Sequence, residues 1–159
     1  MDVFFLRHGD AAKKEAWTGP DRDRPLSREG LDQSRQTASA FAALKPGIAL
    51  VISSPYLRAR QTAEAFVAAL TPRPELRTDD RLSPGFGRDQ LAELIRENAG
   101  TAPLMLVGHE PDFSRTIAAC IGGGAVECGK GGLALVRIEE TPSLKGTLLW
   151  LLPPKVLAR

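Results

Sequence analysis

Short apolar runs alternate along this chain with stretches whose apolar residues recur every three or four positions. That alternation predicts an α/β domain built on a largely parallel sheet. Val3 to Leu6 reads as the first strand. A polar loop containing Pro and Gly runs from Asp10 to Pro25, after which Ser27 is placed to cap a helix with the stripe Leu31, Ala38, Phe41 and Ala42, ended by Pro46 and Gly47. "IALVISSP" gives a second strand, and the next helix aligns Ala63, Phe66, Val67 and Leu70 on one face. A Pro-rich break leads to a weak strand near Leu76, the loop "RLSPGFGRD", and a helix turning Leu91, Leu94 and Ile95 inward. "PLMLVGHEP" is another buried strand, with Pro111 as first residue of a helix bearing Phe113, Ile117, Ala118 and Ile121. "GLALVRI" and "GTLLWLL", separated by a turn through Pro142 to Gly146, are expected to form an antiparallel pair at the sheet edge. With no internal repeat and no long linker, residues 1–159 are expected to form one domain.

The strands stop in an informative way. "VFFLRHG" ends in Arg7-His8, "LVISSPYLR" leads through Ser53, Ser54 and Pro55 to Arg58, and "LMLVGHEP" ends in Gly108-His109. Ligands of open α/β sheets sit outside the carboxyl ends of the strands, so these ends should converge on one crevice. Both histidines of the chain lie there. A histidine after a strand, or an arginine in a helix's first turn, has an ordinary structural explanation when taken singly. Arg7 is harder to explain so, because a guanidinium abutting an apolar strand must find an anion or leave the core. The conjunction of the four positions points to an anion site.

Composition narrows the classes. With 43% hydrophobic and 25% charged residues in 159, the chain can bury a sizeable core. A net charge of +2 with scattered basic residues offers no nucleic-acid stripe and no anionic membrane surface. Arginine outnumbers lysine more than two to one, which suits fork-like anion binding. Cys120 and Cys128 lack metal-ligand spacing and are expected to be free thiols. No apolar run approaches the length of a membrane span and no leader pattern opens the chain, so the expected location is the cytoplasm.

"GAVECGKG", Gly124 to Gly131, matches seven positions of the nucleotide-binding phosphate loop. Gly131 replaces the hydroxyl that should reach magnesium, and the segment follows a helix and precedes a strand, the reverse of the required context. It reads as a flexible loop beside the crevice. No G-x-S-x-G elbow, H-E-x-x-H pair or Asp-rich metal loop is present.

At Arg7-His8-Gly9 the chain resembles the histidine phosphatase superfamily, which includes cofactor-dependent phosphoglycerate mutases and many phosphatases. "SSPYLRARQTAE" is similar to the family's second arginine block and "VGHEP" to its second histidine block, in the family's order. "RHGDA", the helix start "RPLSREG" and the short length resemble the small bacterial phosphohistidine phosphatases within it. The resemblance implies a phosphoglycerate mutase-like fold, a three-layer αβα sandwich with a mostly parallel central sheet and helices on both faces. It also implies a phosphohistidine enzyme intermediate on His8, with Arg7, Arg58 and His109 binding phosphate, and neither metal nor cofactor. Attack requires neutral His8, which the neighbouring arginines favour, whereas a phosphate dianion would favour protonated His109.

The general acid departs from the family's pattern. Mutase-like relatives carry a glutamate after the second arginine block, where this chain has only Asp80 and Asp89 at the margins of "RLSPGFGRD". Other branches place an aspartate after the second histidine, where this chain has Glu110, and Asp10 is a further candidate. An imidazole leaving from a P–N bond needs less help from an acid than an alcohol does. The expected substrate is therefore phosphohistidine in a signalling or phosphotransfer protein. A small phosphate ester is the alternative within enzymes, and a non-catalytic phospho-ligand binding module the alternative outside them.

Overall fold

The computed structural model describes residues 1–157. Six strands, β1 (Asp2–Arg7), β2 (Leu50–Ser53), β3 (Glu75–Thr78), β4 (Leu104–Gly108), β5 (Leu133–Glu140) and β6 (Lys145–Leu152), form one sheet in the order β3-β2-β4-β1-β5-β6. The four strands from β3 to β1 are parallel; β5 runs antiparallel to β1 and β6 antiparallel to β5. The C-terminal hairpin thus joins the sheet through β5, and of its two strands only β6 lies at an edge.

The helices are α1 (Arg28–Ala43), α2 (Leu57–Ala69), α3 (Arg88–Glu97), α4 (Asp112–Cys120) and the short α5 (Pro154–Leu157). Strand alternation sends β1 side chains to opposite faces. Phe4 and Leu6 join Phe41 of α1 and Ala63, Phe66 and Val67 of α2 in one core. Val3 and Phe5 join Leu91 and Leu94 of α3 and Phe113 and Ile117 of α4 in the other. This is the three-layer αβα arrangement with a mostly parallel sheet. No helix among the described residues is long and apolar enough to cross a membrane, and both cysteines are buried free thiols.

Two local readings need correction. The buried line of α1 is Gly30, Ser34, Thr37, Ala38 and Phe41, rotated from the expected stripe, with Leu31 and Ala42 only half-buried. Small residues are buried there because α1 packs closely on the segment after β1: a Cβ on Gly9 would lie 2.8 Å from Ser34 Oγ, which donates within the helix to Gly30 O at 2.7 Å. Pro111 precedes α4 as its N-cap residue instead of opening it. The Asp10 to Pro25 loop contains two short 3-10 turns, Lys14–Ala16 and Asp21–Asp23.

Ser27 caps α1 as expected, its Oγ accepting from Gly30 N at 3.0 Å, and Ser27 N donates to Asp10 O at 2.9 Å. The helix start is thereby tied to the residues just after β1. A Cβ on Gly30 would lie 2.0 Å from the Asp10 carbonyl oxygen, so Gly30→Ala must displace backbone next to His8. The substitution is expected to cost about 3 kcal/mol, the upper part of the usual overpacking range, measurable by urea unfolding; an unchanged midpoint would contradict this packing.

Candidate active site

Sheet register brings the site together. Arg7 and Gly108 are paired across β1 and β4, so the residues that follow them, His8 and His109, emerge side by side with ring centroids 5.2 Å apart. Ser53 pairs with Val107 across β2 and β4, so Ser54 emerges beside them, and its Oγ lies 2.8 Å from His109 Nε2. Arg58, in the first turn of α2, is only 5% exposed and directs Nε to His8 Nε2 at 3.3 Å. Gly108 is required by packing, since a Cβ there would meet the Phe113 ring at 2.7 Å.

Arg7, His8, Arg58 and His109 all line one cleft of about 490 Å³, together with Asp10, Arg24, Glu110 and Lys130. The candidate acids behave differently. Asp10 accepts from Lys130 Nζ at 2.5 Å and from Ser27 Oγ at 2.8 Å. The lysine hydrogen bond, with the serine's help against partial burial, holds its carboxyl below the ordinary value. Glu110 Oε1 accepts from Ser114 N at 3.1 Å and so caps α4, and its carboxyl faces the buried Cys128 thiol. Asp80 is exposed and lies 3.7 Å from Arg22, and Asp89 stands in the first turn of α3; neither lines the cleft.

His8 has a defined tautomer. Its Nδ1 sits 2.7 Å from the Gly9 carbonyl oxygen, which can only accept, so Nδ1 carries the proton and Nε2 presents its lone pair. Gly9 is held in turn by its N–H donating to Thr62 Oγ1 at 3.1 Å. The pKa of His8 is pushed down to about 4, by burial first and then by Arg58, Arg7 and Arg24, against the Gly9 hydrogen bond. Sequence reasoning credited the arginines; burial is the larger cause. His109 is pushed down to about 3 by burial, His8 and Arg58. With Nε2 engaged by Ser54, its Nδ1 is buried without a partner, as is Arg7 Nε. Unpaired buried nitrogens are costly, and both side chains belong to the cleft lining.

Several contributors were not legible in the sequence. Arg7 Nη1 donates to Cys128 O at 2.8 Å, so the false phosphate loop orients the first arginine and extends Lys130 into the cleft wall. That segment is anchored instead of loose: Cys128 N donates to Ser114 Oγ at 3.1 Å and Gly131 N to His8 O at 3.0 Å. Asp21, from the loop after β1, accepts from Arg58 through its backbone carbonyl at 2.9 Å and its Oδ2 at 3.0 Å. Arg24 Nε donates to Asp21 Oδ1 at 2.9 Å. No sequence signal marks Cys128 or Asp21 as partners of the two site arginines, because each contact joins segments distant along the chain. Among the described residues no group of three or more His, Cys, Asp or Glu is arranged to hold a metal ion.

The family model of the histidine phosphatase superfamily, branch 1, matches residues 3–111. The chain is 32% identical over 159 residues to the phosphohistidine phosphatase SixA of Escherichia coli K12, covering 97% of this chain and 94% of that protein. Its structure is similar to that of the protein histidine phosphatase SixA complexed with tungstate, with a TM-score of 0.86 and 30% identity over 99% of both chains. It is also similar to a putative phosphohistidine phosphatase SixA from Agrobacterium tumefaciens, with a TM-score of 0.77 and 27% identity over 96% and 97% of the two chains.

The depressed imidazoles have a consequence for stability. An unfolded histidine takes up its proton near 6.5, whereas folded His8 does so at about 4 and folded His109 at about 3. Between those values the unfolded chain binds more protons, so stability is full above the unfolded value and falls as the pH drops through the window. Thermal unfolding should show Tm decreasing from neutral pH toward about 4, with a shallower fall in His8→Asn; a Tm flat across this window would contradict the buried, neutral imidazoles.

Proposed function

This chain belongs to the histidine phosphatase superfamily and is a phosphatase of that family, and we propose that it removes the phosphoryl group from phosphohistidine in a signalling or phosphotransfer protein, by way of a phosphohistidine on His8. The observation that carries this reading is the His8 tautomer: Nδ1 donates to Gly9 O at 2.7 Å, leaving Nε2 unprotonated at the cleft, next to Arg58. The Nε2 lone pair accepts from Arg58 Nε in the free site; as the phosphoryl oxygens take over that donor, neutral Nε2 attacks phosphorus, the leaving group departs on the far side, and water then hydrolyses the new P–N bond.

Arg7, Arg58 and His109 bind the phosphoryl oxygens in this scheme. A dianion in the cleft supplies the negative charge that draws a proton onto His109, whose Nδ1 is otherwise buried and unpaired. Arg24 and Lys130 add positive charge at the cleft wall. The choice of substrate rests on the carboxylates. Asp10 is held ionised by Lys130 and Ser27 and makes a poor proton donor, which leaves Glu110 as the remaining candidate acid. An imidazole leaving group depends least on such a donor. The cleft is bordered by short 3-10 turns and loops, which leave room for a phosphorylated side chain carried on another protein. The Escherichia coli relative, whose name specifies phosphohistidine, spans nearly the whole chain.

The test is phosphate release from a phosphohistidine-bearing protein and from an aryl phosphate, for the native chain, His8→Ala and Glu110→Gln. Release should be faster from the phosphoprotein, abolished by His8→Ala, and reduced little by Glu110→Gln on that substrate. Preference for the ester, with Glu110→Gln inactive on it, would instead make this a small-molecule phosphomonoesterase; tight binding without turnover would make it a phospho-ligand binding module. Arg7→Ala should lower kcat/KM by about 10- to 100-fold, the equivalent of one charged hydrogen bond of about 1.5–3 kcal/mol; an unchanged kcat/KM would remove Arg7 from the scheme.

A further inference from the structure

We propose that Asp21 is a positioning residue that fixes the Arg58 guanidinium by its terminal nitrogens, beside the reacting nitrogen of His8, so that its remaining N–H groups face the phosphoryl oxygens. The proposal rests on the function given above for the cleft and adds a residue outside the cleft lining. Arg58 is 5% exposed, and a charge so deeply placed needs a counter-charge with good geometry. The Asp21 carboxylate supplies it, Oδ2 accepting from Nη2 at 3.0 Å, and its backbone carbonyl adds a second, neutral acceptor for Nη1 at 2.9 Å. No other carboxylate pairs with Arg58 among the described residues. Burial lowers the Arg58 pKa, and the Asp21 carboxylate is the main influence opposing that fall.

The carboxylate is itself held. Its Oδ1 accepts from Arg24 Nε at 2.9 Å, and Arg24 Nη1 donates to Ala12 O at 2.8 Å. Asp21 therefore stands between two guanidiniums, both of which line the cleft, and screens them from each other. Its backbone belongs to the 3-10 turn Asp21–Asp23, whose Asp23 N donates to Pro20 O at 3.0 Å. The turn, the aspartate and the arginine form a continuous brace from the loop after β1 to α2. On its other side, Arg58 lies over the Tyr56 ring, 5.1 Å from the centroid.

A guanidinium has five N–H donors. Three are used by His8 Nε2, Asp21 O and Asp21 Oδ2. One N–H remains on each terminal nitrogen for a phosphoryl oxygen. Without Asp21, a long side chain with many rotamers gains freedom next to two other cations, and its alignment with His8 is lost. Misplacing a catalytic group by about 1 Å can cost about 100-fold in rate.

The test compares native protein with Asp21→Ala, Asp21→Asn and, as control, Asp23→Ala, whose carboxylate makes no hydrogen bond or ion pair among the described residues. The readouts are kcat and KM on both substrates, Tm, and the Kd of orthovanadate as a phosphoryl-shaped probe. Asp21→Ala should lower kcat by roughly 10- to 100-fold, weaken vanadate binding and lower Tm, because it leaves the buried Arg58 charge without its carboxylate. Asp21→Asn should fall between Asp21→Ala and native, because its carboxamide oxygen still accepts from one guanidinium, and it decides the matter if the alanine variant does not fold. Asp23→Ala should match native in every readout. The proposal is overturned if either Asp21 variant binds vanadate and turns over substrate as well as native, or better, which would make the carboxylate a competitor for Arg58. A native chain that turns over neither substrate would defeat the proposed function, while the vanadate comparison would still decide the role of Asp21.

Discussion

Three guanidiniums, from Arg7, Arg24 and Arg58, and two imidazoles share one end of the sheet. Cations gathered this closely repel one another in a partly buried cleft unless each is tied to an acceptor and the imidazoles stay uncharged. Both conditions are met by contacts from distant parts of the chain. Arg7 is tied to Cys128 O, Arg24 to Ala12 O and Asp21, and Arg58 to Asp21. The imidazoles are kept neutral chiefly by burial. The result is positive charge facing an unprotonated imidazole nitrogen, the combination that the proposed in-line attack on a phosphoryl dianion requires.

The sheet makes this arrangement possible without long side-chain excursions. Parallel pairing of β1 with β4 and of β4 with β2 aligns the strand ends within one residue, so His8, His109 and Ser54 follow directly from paired positions. The loops then supply the tethers. Gly131 N bonds to His8 O and Ser27 N to Asp10 O, which holds the segment after β1 from both sides. Rigidity at His8 and Gly9 is thus inherited from two core-packed strands and the capped end of α1.

Much of this was legible in the sequence, for a physical reason. Arg7, His8, Arg58 and His109 adjoin apolar runs or helix starts, where a charged or titratable residue stands out against the local pattern. The αβα layering was legible from the same alternation. Asp21 was not, because it lies in a polar stretch where Asp21, Arg22, Asp23 and Arg24 are equally plausible surface residues, and its partner is 37 positions away. Cys128 contributes a backbone carbonyl, which no side-chain pattern reveals. The loop of Gly124 to Gly131 drew attention as a false nucleotide motif, yet its part in the site comes from chain path alone. On α1 the apolar stripe misled, since close packing against Gly9 and the Asp10 backbone selects Ser34 and Gly30 over larger residues.

The central claim is that the neutral Nε2 of His8 takes the phosphoryl group. It is tested most directly by mixing the protein with a phosphohistidine-bearing donor, quenching in alkali within the first turnover, and locating the phosphoryl group by peptide mass spectrometry and phosphorus NMR. The account predicts phosphorylation of His8 on Nε2. Phosphorylation at Nδ1 or at another residue, or phosphate release with no phosphoenzyme formed, would contradict it.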